Sequence, residues 1–327
     1  MKRFLRRLVI AMLLGVAVYA VFVLWAGYRE IRQSLSSFRW SAFALALGLA
    51  TTNYLLRFLK WEYYLGRLRI HGIPKLDSFL IFLSGFVLTV TPGKVGEVFK
   101  SAVLAECHGV PAARTAPIVV AERLTDVIGV IALIVIGSLG FSGGLLWAGI
   151  GTVAVVLGMV FVVWRAPGEA LLRFMQARPG RLARVAPKLR EAFDSLRIVA
   201  SPGALFYPSF LSVLGWGGEG FALYLLLDGF GAPVAAPRAM FFYATATLAG
   251  AVIPVPGGLG VAEAMIQEQL VRIARVAHGS ATSAMILIRF ATLWWAVAVG
   301  FVALALLRRR FPNLLRKGAD DDVEPGA

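Results

Sequence analysis

The chain has 327 residues, of which 59% are hydrophobic and only 16% charged, with a formal net charge of +15. That balance excludes an ordinary soluble domain and points to an integral membrane protein. The basic residues fall between apolar runs, a pattern that reports topology and anionic lipid headgroups and speaks against a nucleic-acid partner.

Lys2, Arg3, Arg6 and Arg7 precede an apolar run over 8–25. The large residues Phe22, Leu24 and Trp25 stand where a signal-peptide cleavage site needs small ones, so the run reads as a retained span that starts in the cytoplasm. A second span covers 41–59 and ends in Arg57, Lys60 and Trp61; Arg67 and Arg69 follow, which places the loop up to Lys75 in the cytoplasm. The next apolar stretch is broken by Pro92-Gly93-Lys94-Val95-Gly96. Proline lacks the N–H that a helix needs, and glycine weakens a helix interior. The arms, 76–90 and 97–108, reach roughly 20 Å at 1.5 Å per residue, short of a ~30 Å hydrocarbon core. They predict a re-entrant hairpin, about 76–108, that returns to the cytoplasm.

Spans over 118–139 and 145–164 follow, joined by a turn at 140–144. The loop 165–203 is the most basic segment, with eight Lys/Arg. In it Leu182, Val185, Leu189, Phe193 and Leu196 recur at helical spacing between Arg181, Arg184, Lys188 and Arg190. This is the pattern of a basic amphipathic helix on the cytoplasmic leaflet, or of a solvated linker helix. After a span over 205–227, the second break is Pro254 with Pro256-Gly257-Gly258-Leu259-Gly260. Its arms, 238–253 and 261–274, predict a hairpin, about 238–275, that enters from outside. The last span, 281–307, is closed by Arg308, Arg309, Arg310, Arg316 and Lys317, ahead of an acidic tail with Asp320, Asp321, Asp322 and Glu324.

The fold expected is an all-α polytopic membrane protein of about six full spans plus two re-entrant broken-helix hairpins arranged as an inverted repeat. Repeat 1 lies within 1–164, where 145–164 already serves as the first span of repeat 2. A basic linker (165–203), the rest of repeat 2 (204–307) and a cytoplasmic tail (308–327) complete it. This topology places 23 of the 33 Lys/Arg in the cytoplasm and six outside, as the positive-inside bias requires. Pro92 and Arg123 are 31 residues apart, and Pro256 and Arg289 are 33 apart. Paired Gly/Pro breaks in corresponding halves are the sequence mark of a transporter's binding site.

Ionisable groups at membrane depth are costly and therefore mark function. The set is Lys94, Glu97, Glu122, Arg123, Asp126, Glu219, Glu263 and Arg289, with Arg57 nearer the surface. One reading is an anion site. Gly93, Gly96, Gly257, Gly258 and Gly260 free backbone N–H groups at two half-helix starts, and Lys94, Arg123 and Arg289 add positive charge for a phosphate. Glu97, Glu122, Asp126, Glu219 and Glu263 would then orient those cations or carry protons. The other reading is a closed ionic network that holds the halves together, Arg123 with Glu97 or Asp126 and Arg289 with Glu263 or Glu219. No metal, cofactor or catalytic residue is expected. His71, His108 and His278 are far apart, Cys107 is the single cysteine, and Gly140-Phe141-Ser142-Gly143, a match to a rhomboid-protease motif, falls in a predicted surface turn.

Asn53-x-x-x-Arg57-x-x-x-Trp61, Pro92-Gly93-Lys94-x-Gly96-Glu97, Glu122-Arg123-x-x-Asp126 and Pro254-x-Pro256-Gly257-Gly258-Leu259-Gly260-x-x-Glu263, in this order, resemble the lysylphosphatidylglycerol synthase transmembrane family of flippase-like proteins. Lys94 departs from the family pattern, where Arg is frequent. The resemblance implies a bacterial or archaeal membrane protein without lipid lysylation, because this chain ends before any aminoacyl-transferase domain. It implies a lipid substrate: an aminoacylated phospholipid, a polyprenyl-phosphate sugar or a hopanoid. The expected function is a lipid flippase. The alternative is a non-transporting partner that holds a lipid carrier for a glycosyltransferase or lipid-synthesis enzyme.

Overall fold

The computed structural model describes residues 27–91, 97–138, 181–253 and 255–314, with isolated positions at 17, 19–21, 24, 149 and 153. The first break, Pro92 to Gly96, and Pro254 lie outside the described residues, as do the predicted turn at 140–144, nearly all of the spans at 8–25 and 145–164, and the acidic tail.

The described chain is helical throughout. A short helix α1 (Tyr28–Ser36) leads into α2 (Trp40–Arg67). The first hairpin follows as α3 (Lys75–Ser84), a 3-10 turn (Gly85–Leu88) and α4 (Phe99–His108). Then come α5 (Ala112–Ser138), the linker helix α6 (Arg181–Val199) and α7 (Pro202–Gly229). The second hairpin is α8 (Ala236–Val252), a 3-10 turn (Pro256–Gly258) and α9 (Val261–Glu268), which ends in a π-helical turn (Gln269–Ile273). The last helix is α10 (His278–Arg289), a π-helical turn (Phe290–Trp294) and α11 (Trp295–Arg310), 33 residues without a break.

Among the described residues, α2, α7 and the α10–α11 helix are long and apolar enough to cross a membrane. The 28 residues of α2 and of α7 give about 42 Å each. At 27 residues α5 is nearly as long, but Glu122, Arg123 and Asp126 interrupt its middle. The two acids are buried inside the bundle.

The helices beside the breaks are short: α3 and α4 have 10 residues each and α9 has 8. At the second break Gly257, Gly258 and Gly260 take φ of 61°, 69° and 85°, a region that residues with a Cβ rarely enter. The hairpins are gripped reciprocally: α5 lies along α8 of the second hairpin, and α11 lies along α3 and the 3-10 turn of the first. Glycines permit both contacts. A Cβ on Gly137 would sit 2.7 Å from Cβ of Phe241, and one on Gly300 would sit 2.6 Å from the backbone N of Val87. Two apolar clusters result. One joins the C-terminal half of α2 to the first hairpin and α11 through Trp61, Phe82, Phe86 and Leu307; the other joins α7, α8 and α10 through Leu223, Phe242, Met285 and Ile288.

The second span is longer than predicted, and this corrects the reading of its charges. α2 continues to Arg67, and Arg57 and Lys60 are only 8% and 1% exposed. They belong to the interior, where acids compensate them, and not to the cytoplasmic end of a span. The linker helix α6 packs against α5, with Val199 buried and Leu196 against the first core, so the end of its apolar face covers protein.

Candidate functional site

Glu122, Arg123 and Asp126 on α5 each meet an opposite charge from elsewhere in the fold. Lys60 Nζ on α2 donates to Asp126 Oδ1 at 2.7 Å and to Ser212 Oγ on α7 at 2.7 Å, while Ser212 Oγ donates to Asp126 Oδ1 at 3.0 Å. Arg123 Nη2 lies 2.9 Å from Asp126 Oδ2 and 3.0 Å from Glu97 Oε2. Arg57 Nη2 reaches both oxygens of Glu97 at 3.3 Å. Lys100 Nζ donates to Glu122 Oε2 at 2.5 Å and sits 4.7 Å from the Trp61 ring centroid and 5.1 Å from that of Phe82. A buried unpaired ion costs several kcal/mol, and the interlocking of four cations with three acids avoids that cost.

A second pair closes the other hairpin. Arg289 Nε donates to Glu263 Oε1 at 2.6 Å, and its Nη2 donates to the Gly257 carbonyl at 2.7 Å. Glu263 Oε2 accepts the Gly260 N–H at 2.8 Å. Glu263 thus caps α9 from within, and one donor expected to face a headgroup is already taken. Glu219 on α7 stands apart. Its oxygens accept from Asn53 Nδ2 at 2.6 Å and from the Tyr243 hydroxyl, both neutral.

Between these groups lies a cavity of about 320 Å³. This equals the liquid volume of roughly ten waters and lies at the lower end of ligand pockets. Arg57, Arg123, Asp126, Glu219, Tyr243, Gly257, Gly258 and Arg289 line it, with Thr89, Thr247, Thr292 and apolar residues between them. Glu97, Glu122, Glu263 and Gly260 stand behind this lining. Arg123 keeps unspent donor capacity: Nε and Nη2 make no well-aligned hydrogen bond, so its ion pairs are charge contacts. The Thr89 hydroxyl is likewise unpartnered. A model of the lysylphosphatidylglycerol synthase TM region matches residues 12–300.

The chain belongs to that family. No curated protein matches the sequence. Membership of the lysylphosphatidylglycerol synthase TM region family assigns the chain to the membrane and to a lipid-related role. Among the described residues, the cavity is where charge, space and the second backbone break coincide.

Of the residues singled out from the sequence, Arg123, Arg289, Asp126, Glu219, Gly257 and Gly258 meet at one cavity, while Pro92, Gly93, Lys94 and Gly96 fall outside the described residues. Sequence reasoning missed Lys100 and placed Lys60 at the cytoplasmic end of a span. A signal existed for Lys60: Asn53, Arg57, Lys60 and Tyr64 follow at steps of four, three and four, a polar stripe on one face of an apolar helix. Lys100 stands three residues after Glu97, one turn along the same arm.

Proposed function

We propose that this chain is a lipid flippase-like transporter that takes a phosphate-bearing headgroup, polyprenyl or aminoacyl lipids included, into the cavity between its two hairpins while the lipid tails stay in the bilayer. The observation that carries this reading is the convergence of Arg57 and Arg123 from the first half with Arg289 and the Gly257–Gly258 backbone from the second around one cavity. The reciprocal packing of α5 on the second hairpin and α11 on the first supports an inverted repeat, the plan by which many transporters alternate access around a fixed site. In this reading the chain has six spans, two re-entrant hairpins and no catalytic role, and sits in a bacterial cytoplasmic membrane with both termini inside.

The test is leaflet-resolved lipid movement in proteoliposomes. Labelled anionic phospholipid in the inner leaflet should become accessible to an impermeant quencher at a rate proportional to the amount of protein, and protein-free vesicles should show no such rate. The closed Arg289–Glu263–Gly257 contact favours the second reading, a lipid-binding partner of a glycosyltransferase or lipid-synthesis enzyme. Stoichiometric lipid binding without movement would establish that alternative.

The orientation has its own test. Burial, with Glu106 and Asp77 beside it, pushes the Cys107 thiol up to about 11. Only the thiolate reacts, so Cys107 should label slowly at neutral pH and faster as pH rises. The exposed positions His71 and His278 are better reporters. In intact cells of a Cys107→Ala background, an impermeant thiol reagent should label His278→Cys and leave His71→Cys unlabelled. The reverse pattern would invert the topology.

A further inference from the structure

Besides Asp77, which pairs with Arg310, five acids are buried among the described residues: Glu97, Glu122, Asp126, Glu219 and Glu263. Four are held by cations, through Arg57 and Arg123, Lys100, Lys60 and Arg123, and Arg289 respectively. Glu219 is the exception among the described residues. It is 5% exposed, lines the cavity, and has only the neutral donors Asn53 and Tyr243. A carboxylate beside a cation gives up that ion pair when it takes a proton, whereas Glu219 gives up none.

Its surroundings accept either protonation state. The Tyr243 hydroxyl and Thr292 line the same cavity. A hydroxyl both donates and accepts, so that of Tyr243 can donate to an ionised Glu219, or rotate and accept from the protonated acid. From the helices packed on α7, the groups facing this region are Asn53, Tyr54, Arg57 and Lys60 on α2, Arg123 and Asp126 on α5, Tyr243 on α8 and Arg289 on α10. α6 meets α7 near the start of α7, about 25 Å along the helix from Glu219. On α7 itself, Asp228 pairs with Arg39 at the surface. None of the three histidines lines the cavity.

We propose that Glu219 is the proton-accepting group of the cavity, and that an anionic headgroup enters between Arg57, Arg123 and Arg289 together with one proton taken up by its carboxylate. The proposal rests on the anionic-headgroup reading above and adds the coupling ion to it. The balance is simple. One proton passes from water to a Glu219 oxygen, the carboxylate charge disappears, and the phosphate charge takes its place. The cavity then holds the same net charge empty and occupied, which spares the bundle an uncompensated ion. The remaining lining acid, Asp126, stays paired with Lys60 and Arg123 throughout.

The experiment measures binding of dihexanoyl phosphatidylglycerol to the full-length protein in uncharged detergent, by calorimetry from about pH 5 to 8. The probe is a phosphodiester whose single charge does not change over that range. Wild-type affinity should be greatest at low pH and fall with rising pH, by up to about tenfold per unit once Glu219 must be protonated to bind. Repeating the titration in buffers of different ionisation enthalpy should show about one proton taken up per lipid at the upper end. Glu219→Gln should bind with no pH slope and no proton uptake. The buffer comparison needs only the wild type, so it decides even if the variant folds poorly. Binding with no pH dependence and no proton uptake would overturn the proposal and leave the anionic-headgroup reading intact. A pH slope that persists in Glu219→Gln would also overturn it. Absence of binding at every pH would overturn the anionic-headgroup reading and the proposal with it.

Discussion

Arg289→Gln should cost the protein about 3–5 kcal/mol of stability, the range for removing one partner of a buried ion pair. Glu263 is fully buried and receives one strong contact from Arg289 Nε. Its other oxygen is engaged by the Gly260 N–H, which does not neutralise it. Without Arg289 a carboxylate stays charged in a low-dielectric interior, and the Gly257 carbonyl loses its donor as well. The break and α9 behind it then lose the contact that ties them to α10. Thermal unfolding in detergent should show a strongly lowered midpoint for Arg289→Gln. The double variant Glu263→Gln/Arg289→Gln should recover most of the loss, because a glutamine at 263 still accepts from Gly260 and carries no charge. Arg289→Lys should fall between, since an ammonium keeps the charge and loses the fork that spans Glu263 and Gly257. A single variant as stable as the wild type would show that this pair does not hold the hairpin.

Arg123→Gln should behave in the opposite way. Its two acids keep other partners, Glu97 with Arg57 and Asp126 with Lys60 and Ser212. Stability should therefore drop by no more than about 1 kcal/mol, the scale of one ordinary hydrogen bond. The guanidinium carries a full charge, makes no well-aligned hydrogen bond through Nε or Nη2, and lines the cavity, so binding of an anionic headgroup should weaken about 10- to 100-fold, the worth of one charge-assisted hydrogen bond. Arg123→Lys should restore part of it. Lipid binding and thermal unfolding measured on the same preparations separate the two arginines. An unstable Arg123→Gln with unchanged affinity would return Arg123 to the structural network.

These outcomes divide residues that the sequence presents as equivalents. Arg123 and Arg289 follow their breaks at nearly equal distance, and each lies 11 residues after the first residue of its helix. That spacing is local information, and both arginines line one cavity. It does not tell which acid each would meet, or how many, because partners come from helices far apart in the chain. Glu97 lies 40 residues from Arg57, and Asp126 lies 66 from Lys60. Lys60 shows the limit most plainly. At the end of an apolar run a lysine reads as the edge of the membrane, and Asp126 and Ser212, brought in from α5 and α7, make it an interior residue.

What the sequence determined by itself follows from two properties that do not depend on tertiary contacts. Apolar content and run length set membrane embedding and an all-helical chain, because backbone polar groups in lipid must be satisfied within the segment. The second Pro-Gly cluster sets where a helix stops, because proline lacks the N–H and glycine enters left-handed φ, as Gly257, Gly258 and Gly260 do. The tertiary structure decided everything that depends on pairing at a distance: the four-cation, three-acid network, the capture of Arg289 by Glu263 and Gly257, and the isolation of Glu219 among neutral donors. The physical reason is that a buried charge is settled by whichever opposite charge packing delivers within about 4 Å, and that delivery is made by helices whose contact is not written in either helix alone.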